Sequence, residues 1–179
     1  MNEGIELAVR RWVETAVIGL NLCPFAKREW LANRVRLVVN STESVEVLLE
    51  SLSHELDRLA SDTKIETTLL IHPNTLRSFE DYNQFLGMAD QLISLLQFDG
   101  FFQIASFHPE YQFDGLDANQ VENYTNRSPY PILHILREES LEYAISQHPN
   151  TQEIPNTNIR RLRDLGLDHM RQLLLACYE

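Results

Sequence analysis

Apolar and polar residues alternate along the chain with two spacings, one typical of helices and one typical of strands. Near the amino terminus, the apolar positions from Ile5 to Leu20 recur at the 3.6-residue period of an amphipathic helix. Four short apolar runs have the length and composition of strands. These runs are residues 35–39, 66–71, 101–107 and 132–136. The pattern therefore predicts a protein that contains both helices and strands.

Helical patterns also separate most of these strands. Ser41 or Thr42 is the expected cap of a second helix, whose apolar face runs from Val45 to Leu59. Ser78 and Asp81 resemble a capping box and begin a third helix. Further helices are predicted at 139–147 and from Pro155 onwards, with an interruption at Gly166.

The order of these elements predicts an α/β fold with a single mixed, mostly parallel sheet of about four strands and helices packed on it. The first three strands are joined through helices, so we expect them to be parallel with right-handed crossovers. We expect the fourth strand to be antiparallel. A ferredoxin-like α+β sandwich is the alternative. No repeat or flexible linker divides the chain, so residues 1–179 are predicted to form a single globular domain.

Composition and charge narrow the classes of partner. The 179 residues are 44% hydrophobic and 23% charged, which is typical of a globular domain rather than a disordered chain. Lys and Arg total 15 against 26 Asp and Glu, a net charge of −11. That balance argues against a protein that binds nucleic acid by neutralising phosphates, and against docking on an anionic membrane. A small-molecule ligand is the expected partner, and the oligomeric state is left open.

The cysteine count and the apolar runs indicate the cellular setting. Two cysteines are too few for a disulfide scaffold. The acidic start of the sequence lacks the pattern of a signal peptide, and the apolar runs are far shorter than a membrane span of about 20 residues. The sequence therefore predicts a cytoplasmic protein.

The common catalytic and nucleotide-binding motifs are missing from the sequence. It contains no G-x-G-x-x-G, Walker A, H-E-x-x-H, G-x-S-x-G or C-x-x-C pattern. The cofactor is accordingly left unknown, and no metal ligand is assigned. Any site must be inferred from less patterned groups of residues.

The first candidate group surrounds Cys23. Pro24 fits the first position of a short helix that runs to about Leu31, which makes Cys23 the expected helix cap. Unpaired backbone N–H groups and the positive helix end would favour the thiolate, and Lys27 and Arg28 would add to this effect. The alternative is that Cys23 is a small buried hydrophobic residue.

The second candidate group is a pair of His-Pro dipeptides, His72-Pro73 and His108-Pro109, which directly follow two apolar strands. In parallel strands both imidazoles would lie at the carboxyl edge of the sheet, where open α/β sheets bind ligands. The histidines would serve there as acid and base, or as metal ligands together with Cys23. The alternative is that each histidine only ends its strand.

The third candidate group lies in the segment 109–131, which is long for a connection in a compact domain and is predicted to form a lid or binding loop. Arg127 has the planar guanidinium that clamps a carboxylate or phosphate, with Asn126 beside it. Glu110 and Tyr111 complete the predicted substrate-binding residues. The alternative is that Arg127 only neutralises an acidic loop.

Three other features are assigned structural roles. Cys177, in an apolar helix, and His134, on a strand face with Ile132 and Leu136, are predicted to be core residues. The local basic cluster of Arg160, Arg161 and Arg163 is predicted to be a solvated helix face.

Four strings of the sequence together resemble a known family. They are the segments 19–26 (GLNLCPFA), 107–113 (FHPEYQF), 126–131 (NRSPYP) and 154–159 (IPNTNI). In combination they resemble, over the full length, a bacterial family catalogued only as a domain of unknown function. The resemblance implies a single-domain bacterial cytosolic protein and transfers no catalytic residue.

These observations support three hypotheses. The first is an enzyme acting on a small anionic metabolite, with Cys23 as nucleophile, His108 as its base, His72 assisting, and Arg127 and Asn126 orienting the substrate. The second is a non-catalytic module that binds an anionic small molecule at the same edge. The third is an interaction protein whose charged helices contact a partner.

Overall fold

The computed structural model describes residues 2–148 and 150–179 and contains one open four-stranded sheet. The strands are β1 (Val35–Val39), β2 (Thr67–Ile71), β3 (Phe102–Phe107) and β4 (Ile132–Arg137). Each lies within one residue of the run predicted from the sequence. The runs are apolar because successive side chains point to opposite faces of the sheet, and a core cluster lies on each face.

Helices make up most of the remaining chain. They are α1 (Asn2–Trp12), which continues as a π-helix (Val13–Ile18), α2 (Ala26–Leu31), α3 (Val45–Ser61), α4 (Phe79–Leu95), α5 (Glu138–Gln147), α6 (Ile154–Leu165) and α7 (Leu167–Ala176). Short 3₁₀ turns lie at Val121–Thr125 and Thr151–Glu153. Across the described ranges, every helix is too short or too polar to cross a membrane.

The sheet is mixed, as predicted, but the expectation that it is mostly parallel is wrong. The strand order is β1-β2-β4-β3. Strand β1 pairs with β2 in parallel, whereas β4 pairs antiparallel with both β2 and β3. The first three strands therefore run in one direction, and β4 lies antiparallel to them as expected. Because β4 separates β2 from β3, two of the three pairings are antiparallel.

Helices α3 and α4 cover the first face of the sheet. Their leucines and aromatic residues form the largest core cluster with strand residues such as Leu70, Leu133 and Ile135. Twelve buried residues belong to this cluster. Burial of apolar surface contributes about 25 cal/mol per Å², so this cluster stabilises the packing of α3 and α4 on the sheet.

The second face is covered less evenly. Helix α1 and its π-helical extension pack Val9, Trp12 and Val13 on β1 and β2, and the end of α7 adds Cys177. Cys177 is 2% exposed, which confirms the prediction that it is a core residue. The ring of Trp12 also contacts Phe107 at the end of β3, with centroids 5.2 Å apart. Over the rest of β3 and β4, this face is covered by α5, whose ten residues all keep partial or full exposure to solvent. Because α5 buries none of its side chains completely, space remains between this helix and the sheet.

Helix boundaries follow local capping chemistry. Ser78 caps α4 by accepting a hydrogen bond from the N–H of Asp81, as predicted. The predicted cap of α3, Ser41 or Thr42, is wrong, because Ser44 accepts the N–H of Val47. The break at Gly166 is confirmed, since its φ of 81° is readily adopted only by glycine.

Candidate functional site

A cavity of about 460 Å³ lies between the second face of the sheet and α5. Its floor is formed by β2, β3 and β4, and its walls by the π-helix, α2 and α5. The apolar lining of the floor and walls includes Trp12, Val13, Val17, Phe25, Trp30, Leu69, Ala105, Phe107, Leu136, Leu141 and Ala144. A concave, mostly apolar space of this volume is typical of small-molecule sites.

The turn that carries Cys23 forms one wall of this cavity. Gly19 ends the π-helix where a Cβ atom would overlap the carbonyl oxygen of Thr15, so only glycine fits. The chain then turns through Asn21, whose φ of 50° is left-handed, and directs Cys23 towards the sheet. Helix α2 begins at Ala26, two residues later than Pro24, the position predicted from the sequence.

Cys23 is not activated in the way that the sequence predicts. Burial raises the pKa of its thiol, and this effect outweighs the hydrogen bonds from the backbone N–H groups of Phe25 and Ala26, which lower it. The prediction that Cys23 caps the helix is wrong, because Phe25 holds the cap position of α2. The apolar surroundings of the thiol favour its neutral form.

His134 is a polar residue on the cavity floor. The side chain was predicted to be a core residue, and it does share its face with Ile132 and Leu136. Its Nε2 lies 2.7 Å from the hydroxyl oxygen of Thr67 on the neighbouring strand. Burial lowers the pKa of His134 to about 4, so the ring is neutral near pH 7. Sequence reasoning missed this residue as a site candidate, although a histidine among alternating apolar strand residues is the available signal.

Charged residues at the rim of the cavity are paired with one another. Arg28 binds Glu29 at 2.7 Å, and Arg34 binds both Glu29 at 3.2 Å and Glu66 at 2.5 Å. Arg137 donates to the backbone carbonyls of Leu59, Asp62 and Ile65. The arginines of the rim are thus already engaged.

The structure brings His72 and His108 together at one edge of the sheet, beside the ring of Tyr82. The ring centroids lie 5.8 Å and 5.1 Å from that of Tyr82. This edge belongs to the first face, under α4, and neither histidine lines the cavity that contains Cys23. Cys23 and the His-Pro pair are therefore in different places in the fold.

Both of these histidines are bound to nearby backbone. His72 is fully buried and Nδ1 donates to the carbonyl of Thr75 at 2.9 Å. Nε2 of His108 donates to the carbonyl of Leu76 at 3.1 Å, and Nδ1 accepts the N–H of Glu110 at 3.0 Å. Burial lowers the pKa of both rings, that of His72 to about 4. Each is therefore a neutral imidazole that stabilises a turn.

The predicted substrate-binding residues organise the segment 109–131 itself. The guanidinium of Arg127 donates to the carbonyls of Tyr111 at 3.1 Å and Ala118 at 2.7 Å, and it stacks on Tyr124. Asn126 donates to the carbonyl of Ser106. Arg127 thus holds the loop together, and the loop packs against α6 rather than over the cavity.

Glu110 and Tyr111 are also part of this packing. The ring of Tyr111 contacts Phe79 at 5.0 Å and Phe113 at 4.9 Å, and the side chain of Glu110 is exposed. Cys23, His72 and His108 do not converge on a common point, and the described residues contain no cluster of three or more His, Cys, Asp or Glu able to hold a metal ion.

The chain is similar to a known protein family. A family model described as "Protein of unknown function (DUF1415)" matches residues 4–172, nearly the full length. No curated protein and no solved structure matches the chain. The family match confirms the resemblance indicated by the four sequence strings.

Proposed function

The chain belongs to the DUF1415 family, and from that premise we propose that it binds a small, largely apolar molecule in the cavity between its sheet and α5. The observation that carries the proposal is a cavity of about 460 Å³ that is lined by residues of all four strands and of several helices. If this region served only to stabilise the fold, we would expect side chains to fill the cavity, because unfilled apolar volume destabilises a protein.

The geometry supports an apolar ligand better than the anionic one predicted from the sequence. Arg127, the expected anion clamp, donates to backbone carbonyls of its own loop. The arginines at the cavity rim are bound to carboxylates or carbonyls. An anion in this cavity would therefore lose its hydration without gaining a free cation.

Helix α5 is the element that would admit the ligand. Leu141, Tyr143 and Ala144 line the cavity, yet the helix has few buried side chains to hold it in place. Segments with little buried apolar surface open locally at low cost in free energy. We propose that α5 moves away from the sheet during entry.

A cavity-filling substitution tests the binding function. Ala105 lies on the cavity floor, paired with His134 across β3 and β4. The probe is N-phenyl-1-naphthylamine, a neutral molecule whose fluorescence increases in apolar surroundings. Wild-type protein should bind it, and Ala105→Phe should weaken binding by roughly tenfold or more, because the phenyl ring occupies the ligand's space.

Ala60→Phe is the matched control, since Ala60 is an exposed residue of α3 on the other side of the sheet. It should bind the probe like the wild type. Equal affinities of all three proteins would place the probe elsewhere and overturn the proposal, as would absence of binding to the wild type.

A second candidate function is an enzyme that uses Cys23, and the observation that favours it is the position of Cys23 and His134 in one cavity. The pH profile of Cys23 alkylation, measured in a Cys177→Ala background, separates the two functions. Because burial raises the pKa of Cys23, we expect the profile to have its midpoint above the ordinary value of about 8.5. A midpoint below that value would favour the enzyme.

The roles of His72 and His108 as catalytic residues remain predictions from the sequence, as does the bacterial, cytosolic setting. Catalysis by the sequence-predicted set would require Cys23 to come within about 3 Å of one of these rings, and the separate positions described above offer no support for that contact.

A further inference from the structure

The hydrogen bond between Thr67 and His134 determines which ring nitrogen carries the proton. The Thr67 hydroxyl lies 2.5 Å from the carbonyl oxygen of Ile135, which can only accept, so the single hydroxyl proton is donated there. The contact of 2.7 Å with His134 must then run from Nε2–H to the hydroxyl oxygen. The neutral ring therefore carries its proton on Nε2 and leaves Nδ1 with a free lone pair.

Nδ1 of His134 has no hydrogen-bond partner among the described protein residues, and its ring lines the cavity. This nitrogen is also absent from the fully buried side-chain atoms of residues 2–148 and 150–179 that lack a hydrogen bond, so it is not sealed within the protein. The ring lines the cavity and keeps part of its surface accessible. The cavity floor thus presents one unpaired hydrogen-bond acceptor amid apolar side chains.

The arginines and the thiol that line the cavity do not compete with this acceptor for a ligand's donor group. Arg137 uses its donors on backbone carbonyls, and the Arg28, Glu29 and Glu66 charges at the rim are neutralised in ion pairs. Burial keeps the thiol of Cys23 neutral. A ligand with an N–H or O–H group satisfies Nδ1, whereas a carboxylate or phosphate would place negative charge against a lone pair.

We infer that His134 selects neutral, largely apolar ligands that carry one hydrogen-bond donor, which Nδ1 accepts, with Thr67 as the residue that positions the ring. The inference rests on the proposed binding function and adds the chemical class of the ligand. A site built to pair a buried polar group discriminates against an analogue that leaves the group unpaired.

Two probes of nearly equal shape test this selectivity on the wild-type protein. N-phenyl-1-naphthylamine carries an N–H donor, and 1-phenoxynaphthalene replaces that group with an ether oxygen. We expect the amine to bind roughly fivefold to tenfold tighter by calorimetry, which is the effect of one net hydrogen bond. A third probe, 8-anilinonaphthalene-1-sulfonate, adds a sulfonate to the amine and should bind more weakly than the amine.

His134→Phe should bind the amine and the ether with equal affinity. If that variant does not fold, Thr67→Val serves instead, because loss of the hydroxyl frees the ring to change its tautomer and should reduce the preference. Equal binding of both probes by the wild type would overturn the inference while leaving the binding function intact, and so would tighter binding of the sulfonate. Failure of every probe to bind would overturn both.

Discussion

His72 and His108 end two strands that run in the same direction, and their imidazoles contact the same aromatic ring, that of Tyr82. The tyrosine hydroxyl donates to the carbonyl of Ile132 at 2.7 Å and accepts the N–H of Phe107 at 3.1 Å. One side chain of α4 thus bonds both strands of the β3–β4 pair at their ends. The histidines pack around this junction as neutral rings.

Burial of these neutral histidines predicts a loss of stability in mild acid. Burial lowers the pKa of His72 and of His134 to about 4 and lowers that of His108 as well, whereas an unfolded histidine titrates near 6.5. Between about pH 6.5 and 4 the unfolded chain takes up protons that the folded chain does not. The free energy of unfolding should therefore fall through this window as the pH is lowered, by up to about 1.4 kcal/mol per pH unit for each histidine.

Urea unfolding at intervals from pH 7 to pH 4.5 measures this dependence. In His72→Asn the side-chain amide nitrogen replaces Nδ1 as donor to the carbonyl of Thr75 but does not titrate. The free energy of unfolding should therefore decrease less steeply as the pH is lowered. His54→Gln is the matched control, because His54 is exposed on α3. A wild-type free energy of unfolding that stays constant over the window would contradict a neutral, buried His72.

The strands and the two histidine turns could be predicted from sequence because both depend on local pattern. Apolar alternation places each strand within one residue, and a His-Pro step directly after an apolar run marks the strand end. Since β2 and β3 run in the same direction, His72 and His108 do reach the same edge. The insertion of β4 between them is a long-range pairing, which local pattern does not encode.

The site was harder to predict because it depends on residues far apart in the chain. Cys23 lies before the cap of α2, and helix α5, more than a hundred residues later, contributes to the apolar cavity that keeps its thiol neutral. His134 has the same sequence pattern as a satisfied core histidine. Only the space above it, between the sheet and α5, distinguishes it from one.

Arg127 provides a test of whether the segment 109–131 is a structural unit or a ligand clamp. Its planar guanidinium reaches two carbonyls at once, which the single ammonium of lysine cannot reproduce. Arg127→Lys should therefore lower the free energy of unfolding by about 1–2 kcal/mol. Amide hydrogen exchange within residues 111–126 should accelerate, whereas affinity for N-phenyl-1-naphthylamine should stay unchanged.

Arg77→Lys is the control for this substitution, because Arg77 is exposed and its side chain forms no hydrogen bond within residues 2–148 and 150–179. It should change neither stability nor exchange. If Arg127→Lys instead weakened probe binding at unchanged stability, the clamp predicted from the sequence would be the better description of this arginine.

The two tryptophans of the chain, Trp12 and Trp30, both line the cavity and report on its occupancy. The indole N–H of Trp12 donates to the carbonyl of Arg127 at 3.0 Å, and that of Trp30 donates to the carboxylate of Glu14 at 3.2 Å. Held in this way, each should give one distinct indole signal in a ¹H–¹⁵N correlation spectrum. Saturation with N-phenyl-1-naphthylamine should shift both signals, because an aromatic ligand changes the magnetic environment of the rings it contacts.

If the probe binds in the cavity, the signals of residues far from the cavity should stay unchanged. The backbone amides of Glu50 and Asp57, exposed on α3 across the sheet, should not move, and Trp30→Phe identifies which indole signal belongs to which residue. In Ala105→Phe, where the cavity floor is filled, the same probe concentration should leave both indole signals near their unliganded positions. Shifts confined to α3, or to one tryptophan in a saturated wild-type sample, would place the probe outside the space between the sheet and α5.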